Sequence, residues 1–142
     1  MSDFKRLSDS LSVSAQLSPD DLKAAAAAGF KSIINNRPDQ ESADQPSSDS
    51  MANLALSLGM SYIHQPIVSG QISEENINDF AALIADSETP ILAFCRTGTR
   101  CTHLWALSNA KGNDLSDIAA SAAAAGYDIS GLMPRLQQRK EG

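Results

Sequence analysis

The sequence predicts an α/β fold. One domain over residues 1–142 carries a four-stranded, mainly parallel sheet with helices on both faces. Three observations lead there. Short apolar runs alternate with helix-like segments along the chain. Capping residues or glycines bound most of those segments. A chain of 142 residues, 42% of them hydrophobic, has the size and composition of one globular domain.

Leu11-Ser12-Val13-Ser14 alternates apolar and polar residues and reads as a first strand. Ser18 then caps a helix, with Pro19 at its first position and Asp20 and Asp21 in its first turn. That helix runs through Ala24–Ala28 and stops at Gly29. Phe30–Asn35, centred on Ile33 and Ile34, reads as a buried second strand. Residues 37–50 are polar, hold Pro38 and Pro46, and read as loop. Met51–Leu58 is a second helix ended by Gly59, and Met60–Gln65 a third strand followed by a loop to Ile72. Ser73 opens a third helix, in which Ile77, Phe80, Ala81 and Ile84 share one face. Ile91–Phe94 is a fourth strand, and Cys101–Lys111 a fourth helix ending near Gly112. Asp114 caps a fifth helix running to Ala125, and a last helix covers Leu132–Arg139.

The formal net charge is −6. Nucleic acid and anionic membranes want basic surfaces, so neither is expected as a main partner. No apolar stretch approaches ~18 residues, and Met1-Ser2-Asp3-Phe4-Lys5-Arg6 leads into no signal-like apolar core. The chain is expected to be soluble and cytoplasmic, with no protein partner assigned. Two cysteines, Cys95 and Cys101, are too few for a disulfide scaffold and are read as thiols. Two distant histidines, His64 and His103, give no metal-ligand spacing. Neither metal nor cofactor is expected.

The chemistry concentrates in Cys95-Arg96-Thr97-Gly98-Thr99-Arg100, between a strand and a helix. A loop entering a helix N-terminus presents free N–H groups and the positive end of the helix dipole. A cysteine there has a pKa depressed to about 3.5–7.5, against about 8.5 for a free thiol. Gly98 lets the backbone curl, and Arg100 can fork two hydrogen bonds onto an oxyanion. Arg96, Thr97, Gly98 and Thr99 complete the expected oxyanion-binding loop, with Arg96 on its positive rim.

In a parallel sheet, ligands bind at the carboxyl ends of the strands. The loops following the second, third and fourth strands should therefore converge. Arg37, Asp39, Glu41 and Ser69 become possible substrate-loop or acid residues. Arg37 is read either as a cation facing substrate or as a tie for Asp39. Cys101 is read as a buried small residue or as a thiol that resolves oxidised Cys95. His103 is read as a capping residue or a proton relay, and His64 as structural. Trp105 is read as core, and the basic stretch from Arg135 to Lys140 as a solvated helix face.

The Cys-x-x-Gly-x-Arg loop resembles those of cysteine phosphatases and rhodanese-type sulfurtransferases. Further segments narrow the resemblance: Ser14-Ala15-Gln16-Leu17-Ser18, Ala28-Gly29-Phe30 through Asn35-Asn36-Arg37-Pro38-Asp39, Pro66-Ile67-Val68 ahead of Ile72-Ser73, and Phe94–Arg100 followed by Leu104-Trp105. Together they resemble the phosphatase-like domain of the beta-lactamase-hydrolase-like proteins, over roughly residues 5–110. The resemblance implies a fold like that of dual-specificity phosphatases. It also implies sulfur chemistry, because some members are catalogued as sulfurtransferases joined to a persulfide-dioxygenase-like domain.

Two departures from the tyrosine-phosphatase pattern matter. Four residues separate Cys95 from Arg100 where those enzymes have five, and the next position is Cys101. The loop Pro66-Ile67-Val68-Ser69-Gly70-Gln71 holds no acid to protonate a leaving alkoxide. Sulfane sulfur transfer needs no such acid, because sulfite or a thiolate leaves unprotonated. On the sequence, the expected function is sulfane sulfur transfer through a Cys95 persulfide. The alternative is phosphate-monoester hydrolysis through a Cys95 phosphocysteine, and a further alternative is a non-catalytic anion-binding module. The expected substrate is a small oxyanion, persulfide or phosphoester.

Overall fold

The computed structural model describes residues 4–141. Its sheet has five strands: β1 (Lys5–Arg6), β2 (Leu11–Ser14), β3 (Ser32–Asn35), β4 (Ser61–His64) and β5 (Ile91–Phe94). They lie in the order β1-β2-β5-β3-β4. β2, β5, β3 and β4 are mutually parallel, and β1 pairs antiparallel with β2 at the edge. The expectation of four strands is thus corrected to five. Lys5–Arg6 has no apolar alternation to betray it. It becomes a strand because a turn through residues 7–10 folds it back on β2, Leu7 and Ser8 N–H both donating to Leu11 O.

Among the described residues six helices surround the sheet: α1 (Pro19–Ala27), α2 (Ser48–Ser57), α3 (Glu74–Asp86), α4 (Thr99–Ser108), α5 (Leu115–Ala124) and α6 (Met133–Glu141), the last after a 3-10 turn over 130–132. Ser18 and Ser73 form capping boxes with Asp21 and Asn76. α2 starts three residues before the expected Met51, because the Ser47 side chain accepts from Ser50 N–H. α4 begins at Thr99 rather than Cys101, so Arg100 lies inside its first turn.

Period-two alternation splits the strands between two cores. Val13, Ile34, Ile91 and Ala93 face α3, α4, α5 and α6, against Phe80, Leu104, Ile118 and Leu136. Ile33, Leu92 and Phe94 face α1 and α2, against Leu22, Ala25 and Met51. The parallel strands end in step, Phe94 lying opposite both Ser14 and Asn35, and Asn35 opposite His64. The chain therefore leaves β2, β5, β3 and β4 along one edge of the sheet. Cys95 is the first residue past the central strand β5.

Candidate active site

The three expected loops do converge. Glu41, Ser69, Gly70, Ile72, Arg96, Thr97, Thr99, Arg100 and His103 line a cleft of about 650 Å³, together with Leu132 and Arg135. Cys95 is itself nearly buried, at 1% exposure. It begins the loop whose Arg96, Thr97 and Thr99 line that cleft.

The Cys95 pKa is lowered to about 6. The largest cause is a hydrogen bond from the Cys101 thiol; burial opposes it, and the N–H groups of Cys101, Thr97 and Gly98 add to the lowering. Gly98 N–H reaches Cys95 Sγ at 3.1 Å. This turn requires Gly98 to take φ +89°, a left-handed value that glycine adopts freely. Cys101 is fully buried, and burial first, then the neighbouring Cys95 thiolate, pushes its pKa well up. Its S–H also lies 3.2 Å from Asn36 Oδ1. One thiol proton serves one acceptor at a time, and an anionic sulfur is the stronger acceptor. Cys95 is thus the more acidic of the two thiols, and Cys101 the one that holds its proton more tightly.

Alkylation by iodoacetamide is expected to label one residue, Cys95, with a rate that rises through pH about 6. Peptide mapping of the labelled protein should find Cys101 unmodified. An inflection near that of a free thiol would remove the electrostatic role of the loop.

Arg100 is tied down rather than free over the cleft. Its Nη1 donates to Glu41 Oε2 at 3.0 Å and to Ile67 O at 2.9 Å, and its Nη2 donates to Glu41 Oε1 at 3.2 Å. These bonds leave Nε–H and one Nη2 hydrogen for an oxyanion. Arg37 donates to the same carboxylate, Nε to Glu41 Oε1 at 2.8 Å, and also to Gln16 Oε1 and Ser42 Oγ. Arg37 is therefore not the tie for Asp39. It is a buried partner of Glu41, as its 5% side-chain exposure fits. Burial tends to raise the Glu41 pKa, but hydrogen bonds and charge from Arg100 and Arg37 outweigh it and hold the carboxyl below its usual value.

Asp39 points elsewhere: its Oδ1 accepts from Ser48 N–H at 2.8 Å, at the start of α2. Ser69 is exposed on the cleft wall, and Arg96 is exposed on its rim. His103 lines the cleft half-buried, and burial lowers its pKa. His64 Nε2 lies 2.9 Å from Arg37 O and acts structurally. Trp105 is core, as expected.

Three site features escaped the sequence reading. Tyr127 Oη donates to Thr97 O at 3.1 Å. Arg135 lines the cleft, bridged to Glu74 at 2.9 Å, where a solvated face without a role was expected. Asn36 is fully buried and anchors the base of the site, its Nδ2 donating to Gln65 O and Oε1. The Asn-Asn-Arg run after a buried strand was the available signal for Asn36; Tyr127 and Arg135 gave none.

The comparisons with known proteins agree with this geometry. The sequence profile described as "Beta-lactamase hydrolase-like protein, phosphatase-like domain" matches residues 3–112. A beta-lactamase hydrolase-like protein of Agrobacterium fabrum (strain C58) is 34% identical over 136 residues, covering 94% of this chain and 32% of that protein. Relatives of the same description from Xylella fastidiosa are 31% identical, again over 31% of their length. The chain thus spans about a third of the curated relatives it matches. A crystal structure of a phosphatase candidate from Neisseria meningitidis Z2491 superimposes with a TM-score of 0.87 at 35% identity, covering 95% of this chain and 96% of that one. A second, from Shewanella putrefaciens CN-32, gives 0.75 at 18% identity, with coverage of 99% and 93%, and speaks for the fold alone. No helix among the described residues is long and apolar enough to cross a membrane. With a cysteine-phosphatase-like fold, a thiolate loop at the end of the central strand and these matches together, the chain belongs to the family of phosphatase-like domains of the beta-lactamase hydrolase-like proteins.

Proposed function

We propose that this chain is a cysteine-thiolate phosphatase restricted to substrates whose leaving group departs without a proton. The observation that carries this is the position of Cys95 at the head of α4, in a cradle of N–H groups that lowers its pKa to about 6. The family match and the fold support phosphoryl transfer over the sulfur transfer expected from the sequence. Cys95 Sγ attacks phosphorus, the bond to the leaving oxygen breaks with its electron pair, and water then hydrolyses the phosphocysteine to phosphate and thiolate. Loop N–H groups and the two remaining Arg100 hydrogens stabilise charge on the equatorial oxygens.

The restriction follows from the acids. Among the described residues lining the cleft Glu41 is the only carboxylate, and burial lowers the pKa of His103, which disfavours the protonated ring that could donate. A general acid must hold its proton near the working pH. Two guanidinium groups keep Glu41 ionised. Aryl phosphates and phosphoanhydrides, which expel stable anions, fit this site better than alkyl phosphates.

The same observation favours a second reading, sulfane sulfur transfer, together with the four-residue Cys–Arg spacing. There Cys95 attacks the outer sulfur of thiosulfate, sulfite leaves with the bonding pair, and a thiolate acceptor removes the sulfur from the persulfide. Intact mass spectrometry after rapid quenching separates the two. A phosphoryl adduct on Cys95 with an aryl phosphate is the expected result. A sulfur adduct with thiosulfate, and none with the phosphate ester, would replace the first reading by the second.

A further inference from the structure

Tyr127 lies outside every element that builds the cysteine loop, yet it meets that loop at its tightest point. It follows α5, directly after Gly126. Its hydroxyl donates to Thr97 O at 3.1 Å, a contact spanning 30 residues of sequence. Gly98 N–H donates to Cys95 Sγ at 3.1 Å. Thr97 C=O and Gly98 N–H belong to one planar trans peptide, and they point in opposite directions from it. A bond that fixes the carbonyl therefore fixes the N–H. Tyr127 Oη, the Thr97–Gly98 peptide and the Cys95 sulfur form one hydrogen-bonded line. Accepting a bond at the oxygen also polarises the peptide and strengthens its N–H as a donor.

Gly98 is the other half of this arrangement. A Cβ on it would overlap the Tyr127 hydroxyl and come within 3.4 Å of the Ser14 carbonyl carbon. Glycine is needed there for the left-handed φ, and it also leaves the space that Tyr127 fills.

We propose that Tyr127 is a positioning residue for the nucleophile: by gripping the Thr97 carbonyl it aims Gly98 N–H at the Cys95 sulfur. The inference shares with the proposed function only that Cys95 is the reacting thiolate. Phosphoryl and sulfur chemistry would both use it.

The test is the pH profile of Cys95 alkylation by iodoacetamide, which needs no substrate. Tyr127→Phe removes the hydroxyl and keeps the ring. It is expected to raise the midpoint by a few tenths of a unit, up to about one unit if the loosened peptide withdraws the Gly98 N–H from the anion altogether. Placing 3-fluorotyrosine at position 127, a stronger O–H donor of nearly the same size, should lower the midpoint by a few tenths of a unit, on the same scale. Opposite shifts from the two changes support the proposal. A folded Phe variant with an unmoved midpoint overturns it, as do two shifts in the same direction. If the Phe variant loses its cooperative melting transition, the fluorotyrosine protein decides alone, and an unmoved midpoint there overturns the proposal. Failure to form either covalent adduct would sink the functional reading while leaving this profile intact.

Discussion

Cys95→Ser is expected to lose turnover by on the order of 10⁴-fold or more, with little change in melting temperature. The argument is electrostatic. Cys95 titrates at about 6 because the Cys101 thiol and three backbone N–H groups stabilise its anion. It is mostly thiolate at neutral pH. A serine hydroxyl in the same cradle stays protonated, since the groups that meet the Cys95 sulfur among the described residues are N–H groups and the Cys101 thiol, all donors. The cradle itself survives, since its donors are backbone groups and the buried Cys101. The Ser variant should therefore bind phosphate or vanadate at least as well as the parent, because an anion at the base of the site has been removed. Steady-state rates on an aryl phosphate, with oxyanion affinity from calorimetry, check both halves. Turnover within about tenfold of the parent would show that Cys95 is not the nucleophile.

Glu41→Gln should be the most destabilising single-charge change near the cleft, at about 2–4 kcal/mol. Arg37 and Arg100 have side chains only 5% and 8% exposed, and Glu41 neutralises both. A glutamine matches the shape but leaves two buried guanidinium groups without a counter-charge. The Glu41 side chain is 23% exposed, which places the estimate below the full cost of breaking a dry pair. The pH dependence has a definite sign. The folded pKa of Glu41 lies below its unfolded value of about 4.5, so its contribution is complete above that value. It is lost as pH falls through the folded pKa. Thermal melts across the acid range should show the Gln variant losing less stability below pH about 4.5 than the parent does. The same variant tests the catalytic restriction. If Glu41 only holds Arg100, rates on a series of aryl phosphates should fall by a common factor. A dependence on leaving-group pKa that steepens in the variant would instead make Glu41 the acid.

What the sequence by itself determined is local. The Cys95 loop was legible because its parts are consecutive: strand, glycine turn and helix start fix where the N–H groups point. Ser18, Ser73 and Asp114 marked helix starts because a cap acts within three residues. The parallel topology followed from alternation, and with it the convergence of the loops holding Glu41, Ser69 and Arg96. What tertiary structure decided is pairing across long separations. Arg100 looked like a free oxyanion clamp until Glu41, 59 residues away, took two of its five N–H groups. Asp39 and Glu41 looked equivalent; one went to α2 and the other to two arginines. β1 exists only through its partner strand, and Tyr127 reaches the cradle from 30 residues downstream. The physical reason is common to all of these. Side-chain chemistry says what a group can bond, but only the packed chain decides which of several suitable partners stands within 3 Å.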